Sequence, residues 1–224
     1  MKALAVIPAR GGSRRIPFKN RRYFHGKPII GFSIEAAKSS GLFDRIIVST
    51  DDRQIALIAE EYGAEAIARS EAMSRDEVGT QEVAAYVIRQ LGYDGAFPPP
   101  FVCVIYPTCP MLTPEDLKLG LGMLQADPQK MFSFVVGTFY WGHTHAFLNP
   151  LINLGDAYSM TVPIPSERAI DINVEEDWSR AERMYQDLQQ KQSHVHKHQL
   201  VPTPDPRMPE LAHFRCDCGH ILPT

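Results

Sequence analysis

Residues 3–20 read Ala-Leu-Ala-Val-Ile-Pro-Ala-Arg-Gly-Gly-Ser-Arg-Arg-Ile-Pro-Phe-Lys-Asn, an apolar run that passes directly into a glycine-rich basic loop. A short continuous apolar run predicts a strand that is buried on both faces, as in a parallel sheet. In open α/β sheets, ligands bind beyond the carboxyl ends of the strands. The basic loop is therefore expected at the ligand-binding edge of a sheet.

The pattern continues outward as strands that alternate with helices. Strands are predicted at residues 3–9, 45–50, 64–68, 101–105 and 131–136, and helices at 29–38, 54–62, 80–91, 113–125 and 175–190. Strands alternating with helices indicate right-handed βαβ units and a mostly parallel sheet covered on both faces. The predicted fold is a three-layer α/β/α sandwich.

Composition excludes several classes of protein. The 224 residues are 44% hydrophobic with a net charge of −3, which argues against a nucleic-acid-binding domain. No window approaches the roughly 18 apolar residues that span a membrane. Four cysteines do not indicate a disulfide scaffold, so a cytoplasmic protein is expected.

The basic loop has the chemistry of a polyphosphate site. Gly11 and Gly12 allow the backbone to approach a ligand with its amides pointing inward, and Ser13 adds a hydroxyl donor. Several cations follow within a few residues, among them Arg10, Arg14 and Lys19. The loop lacks the Gly-Lys-Ser/Thr ending of a Walker loop. The alternative interpretation is a solvated basic turn.

The motif Ala9-Arg-Gly-Gly-Ser-Arg-Arg-Ile-Pro-Phe-Lys-Asn20 resembles the acylneuraminate cytidylyltransferases, as do Tyr106-Pro-Thr108 and Phe139-Tyr-Trp-Gly142. The resemblance covers about residues 1–186 and is greatest to the bacterial branch that activates pseudaminic acid. It implies a nucleotide-diphospho-sugar transferase type of fold. It also implies a reaction in which an acidic nine-carbon sugar attacks the α-phosphorus of CTP, forming a CMP-sugar and pyrophosphate.

The resemblance also assigns roles to residues. Arg10, Lys19 and Asp171 are implied to be catalytic, and Tyr106 and Tyr140 to contact the sugar. An ordinary tyrosine at a strand end and core packing remain the alternatives for these two tyrosines. The residues implied to bind CTP are Ala9, Arg10, Gly11, Gly12, Ser13, Arg14, Lys19, Asn20, Arg69 and Thr80.

A Mg²⁺ or Mn²⁺ ion is also implied, because relatives carry Asp-x-Asp before the final helix. The corresponding residues here are Asp171 and Asn173, so the second carboxylate is replaced by an amide. Asp171 is therefore the expected metal ligand, with Asn173 offering a neutral carbonyl oxygen. The alternative is that both residues cap or lead into the helix.

Relatives also carry about thirty to forty additional residues between Val136 and Phe139, which supply part of the sugar pocket and a dimerisation arm. The family implies a homodimer, and the shorter segment leaves that assembly open. Residues 1–190 are predicted to form the catalytic domain and residues 191–224 a poorly ordered tail rich in histidine and proline. Two further hypotheses are a catalytically impaired nucleotide-binding relative and a cytidylyltransferase for another substrate, such as 3-deoxy-manno-octulosonate or an isoprenoid precursor.

Overall fold

A computed structural model describes residues 3–93, 95, 98–197, 201–205 and 208–215, with side chains up to residue 191. The chain divides into two compact units, residues 1–182 and 183–224. The side chains of the predicted tail beyond residue 191, those of its histidines and cysteines among them, lie outside the described residues, and its predicted disorder and the boundary at 190 stay predictions. No helix among the described residues is long and apolar enough to cross a membrane.

The first half of the chain builds one side of the sheet. Its elements are β1 (Ala3–Pro8), β2 (Tyr23–Phe24), β3 (Lys27–Pro28), α1 (Ile29–Ser40), β4 (Phe43–Thr50), α2 (Arg53–Glu61), β5 (Glu65–Ala68) and α3 (Thr80–Gln90). Two single-turn 3₁₀ helices lie at Lys19–Arg21 and Ala72–Ser74.

The second half completes the sheet. Its elements are β6 (Phe101–Ile105), α4 (Pro114–Ala126), β7 (Phe132–Val135), β8 (Phe139–His143), α5 (Thr144–Leu148), β9 (Ser159–Thr161) and α6 (Glu175–Lys197). In the second unit, β10 (Val201–Asp205) pairs antiparallel with β11 (Met208–Arg215).

The central sheet has seven strands in the order β5-β4-β1-β6-β8-β7-β9. Strand β1 pairs in parallel with both neighbours, so that Val6 lies opposite Ile47 on one side and Val104 on the other. Strand β8 is antiparallel to both β6 and β7. Helices cover both faces of the sheet, which confirms the predicted three-layer, mostly parallel architecture.

Two of the predicted helices begin at side-chain caps. Asp52 accepts hydrogen bonds from the amides of Gln54 and Ile55 at the start of α2. Thr113 and Asp116 form a reciprocal capping box at the start of α4. Such caps satisfy amide groups that the helix itself leaves unpaired. The two helices therefore begin where side-chain acceptors are available.

The buried side chains form one cluster on each face of the sheet. Alternate residues of β1 contribute to opposite clusters, with Ala5 and Ile7 on one face and Leu4 and Val6 on the other. The first cluster packs against α1, α2 and α4, and the second against α3 and α5. Since a strand directs successive side chains to opposite faces, the uninterrupted apolar sequence of β1 serves both clusters.

The structure extends and corrects several sequence predictions. Strands β8 and β9 and helix α5 were not predicted, and α6 continues to Lys197 rather than ending at 190. In β8, Phe139 and Trp141 are fully buried, and the Trp141 indole donates a hydrogen bond to the carbonyl of Leu117 at 3.0 Å. These two aromatic residues belong to the core and do not form the wall of a sugar pocket.

Candidate active site

A polar cavity of about 620 Å³ opens beside the carboxyl ends of β1, β5 and β6. Its lining is basic, with six cationic side chains and two carboxylates. The lining residues are Pro8, Arg10, Ser13, Arg14, Arg15, Lys19, Asn20, Arg69, Arg75, Asp76, Val78, Thr80, Val83, Tyr106, Pro107, Thr108, Asp171 and Asn173. The cavity therefore carries four positive charges in excess and is suited to a polyanion.

The loop after β1 is held by hydrogen bonds to β4 and to the residues that follow it. Ala9 is fully buried, and its amide donates to the carbonyl of Ser49 at 2.9 Å. The Gly11 amide donates to a carboxylate oxygen of Asp51 at 2.7 Å. A β-carbon on Gly11 would lie 2.8 Å from that of Asp52, so the backbone approaches the N-cap of α2 as only glycine allows. The loop is thus held against the start of α2.

Three residues of the predicted nucleotide site lie outside the lining of this cavity. Ala9, Gly11 and Gly12 do not line the cavity. The amide of Gly11 is engaged by Asp51 rather than directed at a ligand. Ala9 and Gly11 therefore position the loop, while the side chains of the later loop residues face the cavity.

Arg10 and Arg14 converge on one carboxylate. The guanidinium of Arg10 donates to Asp76 Oδ1, and Arg14 Nη2 lies 2.9 Å from Asp76 Oδ2. The hydrogen bond from Arg10 lowers the pKa of the Asp76 carboxyl. Asp76 lies between the second 3₁₀ helix and α3. Two of the loop's cations therefore share a single counter-charge from a different part of the chain.

Lys19 occupies the floor of the cavity. Its ammonium donates to the carbonyl of Ile172 at 2.5 Å, and burial lowers its pKa while the nearby Asp171 carboxylate opposes that shift. Asn20 is buried, and its side-chain amide donates to the carbonyl of Arg10 at 2.9 Å. Lys19 thus links the loop to the segment that carries Asp171, and Asn20 fixes the backbone at Arg10.

Arg69 is a buried cation at the end of β5. Its guanidinium donates to the carbonyl of Ser49 at 2.6 Å and to the hydroxyl of Ser49 at 3.3 Å. Burial lowers the pKa of Arg69, and the Asp51 carboxylate acts in the opposite direction. It forms no ion pair among the described residues. A buried cation without a direct counter-charge favours an anionic ligand in the cavity.

The two tyrosines predicted to contact the sugar differ in position. Tyr106 lines the cavity at the end of β6, and burial raises the pKa of its phenol. Tyr140 is 1% exposed and does not line the cavity. Its hydroxyl donates to Thr80, which does line the cavity, at 3.0 Å. The prediction for Tyr140 is therefore corrected, because this side chain packs in the core behind Thr80.

Asp171 is the carboxylate of the cavity that no described residue binds. It accepts no hydrogen bond and forms no ion pair within the described residues, whereas the Asn173 carbonyl oxygen accepts from Arg15 at 2.8 Å. No group of three metal-ligating His, Cys, Asp or Glu side chains occurs there either. Mg²⁺ is commonly held by one or two carboxylates together with phosphate oxygens and water, and Asp171 fits that pattern. Asn173 is engaged by Arg15, which differs from its predicted role as a ligand.

The turn between β7 and β8 lies against Asp171. Gly137 has φ +66°, and a β-carbon placed there would lie 2.3 Å from the β-carbon of Asp171. The buried thiol of Cys109 lies 3.3 Å from the carbonyl of Thr138 in the same turn. Glycine at this position allows both the left-handed turn and the close approach of Asp171.

A buried ion pair positions the segment that precedes Asp171. Arg168 Nη1 donates to Asp116 Oδ2 and to the Thr113 hydroxyl, both at 2.9 Å. The Asp116 side chain is 3% exposed and that of Arg168 is 23% exposed. The first turn of α4 therefore anchors the chain three residues before Asp171.

Substitution of Asp116 by alanine is expected to lower the free energy of unfolding by about 2–4 kcal/mol, because it removes both the helix cap and the partner of a half-buried cation. Glu115→Ala is the matched control on the same helical turn, where the pair with Lys118 is exposed and 3.7 Å long. Its effect should stay within about 0.5 kcal/mol. Urea unfolding measures both values. A loss below about 1 kcal/mol for Asp116→Ala would refute the anchoring role.

Four further residues of the site were given no role in the sequence prediction. Arg15, Arg75 and Asp76 line the cavity, and Asp51 binds the Gly11 amide. A carboxylate directly after the second predicted strand was a signal for Asp51, because strand ends meet at one edge of the sheet. No local pattern indicated Asp76, since its partner Arg10 is 66 residues away.

Comparison with known proteins identifies the family. A family model described as "Cytidylyltransferase" matches residues 4–200. The chain belongs to the cytidylyltransferase family. Among curated family members, a pseudaminic acid cytidylyltransferase of Campylobacter jejuni is 43% identical over 153 residues, which cover 66% of this chain and 63% of that protein. The chain thus spans less than two thirds of the length of this relative.

Other members and solved structures agree with this assignment. A CMP-N,N'-diacetyllegionaminic acid synthase of Legionella pneumophila is 42% identical over 123 residues, covering 53% of this chain and 51% of that protein. A CMP:2-keto-3-deoxy-manno-octonic acid synthetase complexed with CTP has a TM-score of 0.68 at 16% identity, covering 84% of this chain and all of that one. A cytidylyltransferase of Leptospira borgpetersenii has a TM-score of 0.62 at 16% identity, covering 91% and 100%. These two structures confirm the fold.

Proposed function

We propose that the chain transfers CMP from CTP to an acidic nine-carbon sugar of the pseudaminic or sialic acid type. The sugar's anomeric oxygen forms a bond to the α-phosphorus, the bond from that phosphorus to the bridging oxygen of the pyrophosphate breaks, and the hydroxyl proton passes to solvent. The main observation in favour of this proposal is the excess of four positive charges among the residues that line the cavity. A triphosphate brings about four negative charges, and its cleavage requires that charge to be neutralised.

In this proposal, each cationic side chain has a role that follows from its position in the cavity. Arg10 and Arg14 bind the outer phosphates from the loop, and Arg69 holds the nucleotide from the end of β5. Lys19 lies beside Asp171, where the charge of the transferring phosphoryl group develops. Donors fixed before the reaction stabilise a developing charge without the cost of reorganising water. The protein thus acts through positioning and electrostatics, and it supplies no nucleophile.

The metal site of the proposed enzyme consists mainly of Asp171. Its carboxylate would hold Mg²⁺, or Mn²⁺, which would act as a Lewis acid toward the phosphates. Asn173 acts differently from the predicted ligand, because it orients Arg15 toward the cavity. The sugar is assigned to the region around Tyr106, Pro107 and Thr108, which line the cavity at the end of β6.

The direct test is pyrophosphate release from CTP with purified protein and Mg²⁺. We expect turnover with a nonulosonic acid, and little with ATP, GTP or UTP in place of CTP. If turnover occurs with 3-deoxy-manno-octulosonate and with no nonulosonic acid, the protein is still a cytidylyltransferase, but its sugar substrate differs from the one proposed. Release that does not depend on any sugar acceptor would contradict the proposal.

A second candidate is a catalytically impaired relative that binds nucleotide. Two observations favour it: Asn173 is engaged by Arg15, and the β7–β8 turn spans only residues 136–138. CTP binding by calorimetry, without release of pyrophosphate for any acidic sugar, would support this candidate over the active enzyme.

A further inference from the structure

The ion pairs of Asp76 occupy the same cations that the proposed function assigns to the triphosphate. Asp76 binds Arg10 through one oxygen and Arg14 through the other. All three side chains line the cavity. A triphosphate that reaches Arg10 and Arg14 must therefore compete with a carboxylate that belongs to the chain itself.

From this geometry, we propose that Asp76 is an internal counter-anion for the triphosphate site. It holds the two guanidinium groups in the absence of nucleotide, gives them up to the phosphates, and takes them back as pyrophosphate leaves. The inference rests on the proposed function. It deepens that function by naming the residue that limits affinity for polyphosphate and assists release of the product.

The surroundings of Asp76 fit a contact that opens. Its side chain is 32% exposed, and that of Arg14 is 83% exposed. Among the described residues, the backbone of Asp76 makes no hydrogen bond, and the turn from Arg75 to Val78 is closed by one bond of 3.3 Å. The two ion pairs are therefore the polar contacts that tie Asp76 to the loop after β1.

The energetic balance favours exchange in both directions. Exposed ion pairs contribute little to stability, because water and salt screen them. A triphosphate offers about four charges against the single charge of Asp76, so it can displace the carboxylate. If only a fraction of the protein is in the state that can bind the ligand, the apparent Kd equals the intrinsic Kd divided by that fraction. Removal of the internal competitor should consequently tighten the binding of polyphosphates.

Asp76→Asn tests the proposal by calorimetry with pyrophosphate, CTP and cytidine. Glu77→Gln is the matched control, because Glu77 is exposed, adjacent and without a polar contact to any described residue. We expect Asp76→Asn to bind pyrophosphate and CTP about three- to ten-fold more tightly than Glu77→Gln. Cytidine, which lacks phosphate, should bind both variants equally. Asp76→Ser should reproduce the tightening, and Asp76→Glu should restore the wild-type affinity.

Equal or weaker binding of pyrophosphate and CTP by Asp76→Asn and Asp76→Ser, relative to Glu77→Gln, would overturn the inference while the proposed function stands. The same change for cytidine as for pyrophosphate would also overturn it, because that result indicates a structural role for Asp76. Absence of both pyrophosphate and CTP binding by the wild-type protein would instead overturn the proposed function, and the inference with it.

Discussion

Replacement of Asp171 by asparagine is expected to lower kcat/KM for CMP-sugar formation about 1,000-fold. Asp171 faces the cavity without a partner among the described residues, whereas Asp76, the other carboxylate of the lining, is engaged by Arg10 and Arg14. Without that charge, the site would lose the carboxylate that is proposed to hold the metal ion. Steady-state pyrophosphate release over a range of Mg²⁺ concentrations measures the effect.

Two controls separate loss of the metal ligand from a general disturbance of this segment. Glu176→Gln removes an exposed acid five residues away and should leave kcat/KM unchanged. Asn173→Ala releases Arg15 and should reduce activity far less than the change at Asp171. Retention of more than a tenth of the activity by Asp171→Asn, in folded protein, would show that Asp171 does not hold the metal.

Lys19→Met is expected to lower kcat/KM about 100- to 1,000-fold. Methionine keeps much of the volume of the lysine stem and removes the ammonium group. The effect should be large because Lys19 is partly buried, and charges act more strongly where water is excluded. Most of the loss should appear in kcat, since the proposed function places Lys19, beside Asp171, at the reacting end of the nucleotide.

Lys130→Met is the matched control for this substitution. The ammonium of Lys130 donates to the carbonyl of Ala157 at 2.8 Å, much as Lys19 donates to Ile172, but it does not line the cavity. Both variants lose one charge and one hydrogen bond to the backbone. Similar kinetic losses in the two variants would mean that the role of Lys19 is structural.

The location of the site could be predicted because it follows from topology. Arg10, Arg69 and Tyr106 come just after β1, β5 and β6, and the carboxyl ends of parallel strands meet at one edge of a sheet. Local rules also gave the helix starts at Asp52 and Thr113, where the capping side chain and its partners are close in sequence.

Contacts between distant parts of the chain could not be predicted in this way. Asp76 meets Arg10 across 66 residues, and Arg15 meets Asn173 across 158. These pairings depend on how two loops pass over the same strand ends. A carboxylate that neutralises a binding loop therefore looks, in the sequence, like any other surface acid.

Strand β8 was missed for a different reason. Tyr140 was assigned to the sugar, with core packing as the alternative. The preceding Val-Gly-Thr is a hairpin signal in which Gly137 takes the left-handed conformation. The tight turn reverses the chain and places β8 antiparallel between β6 and β7. Tyr140 is then directed into the core, and that reversal explains the incorrect assignment of this residue.

The contact between Gly137 and Asp171 limits how the acceptor specificity of this protein can be engineered. The tip of the β7–β8 hairpin packs directly against Asp171. Residues inserted at Gly137 would therefore displace the Asp171 carboxylate before they could extend toward the sugar. A library of longer turns should accordingly keep glycine at 137 and insert its variable residues on the side of Val136, whose side chain is 71% exposed.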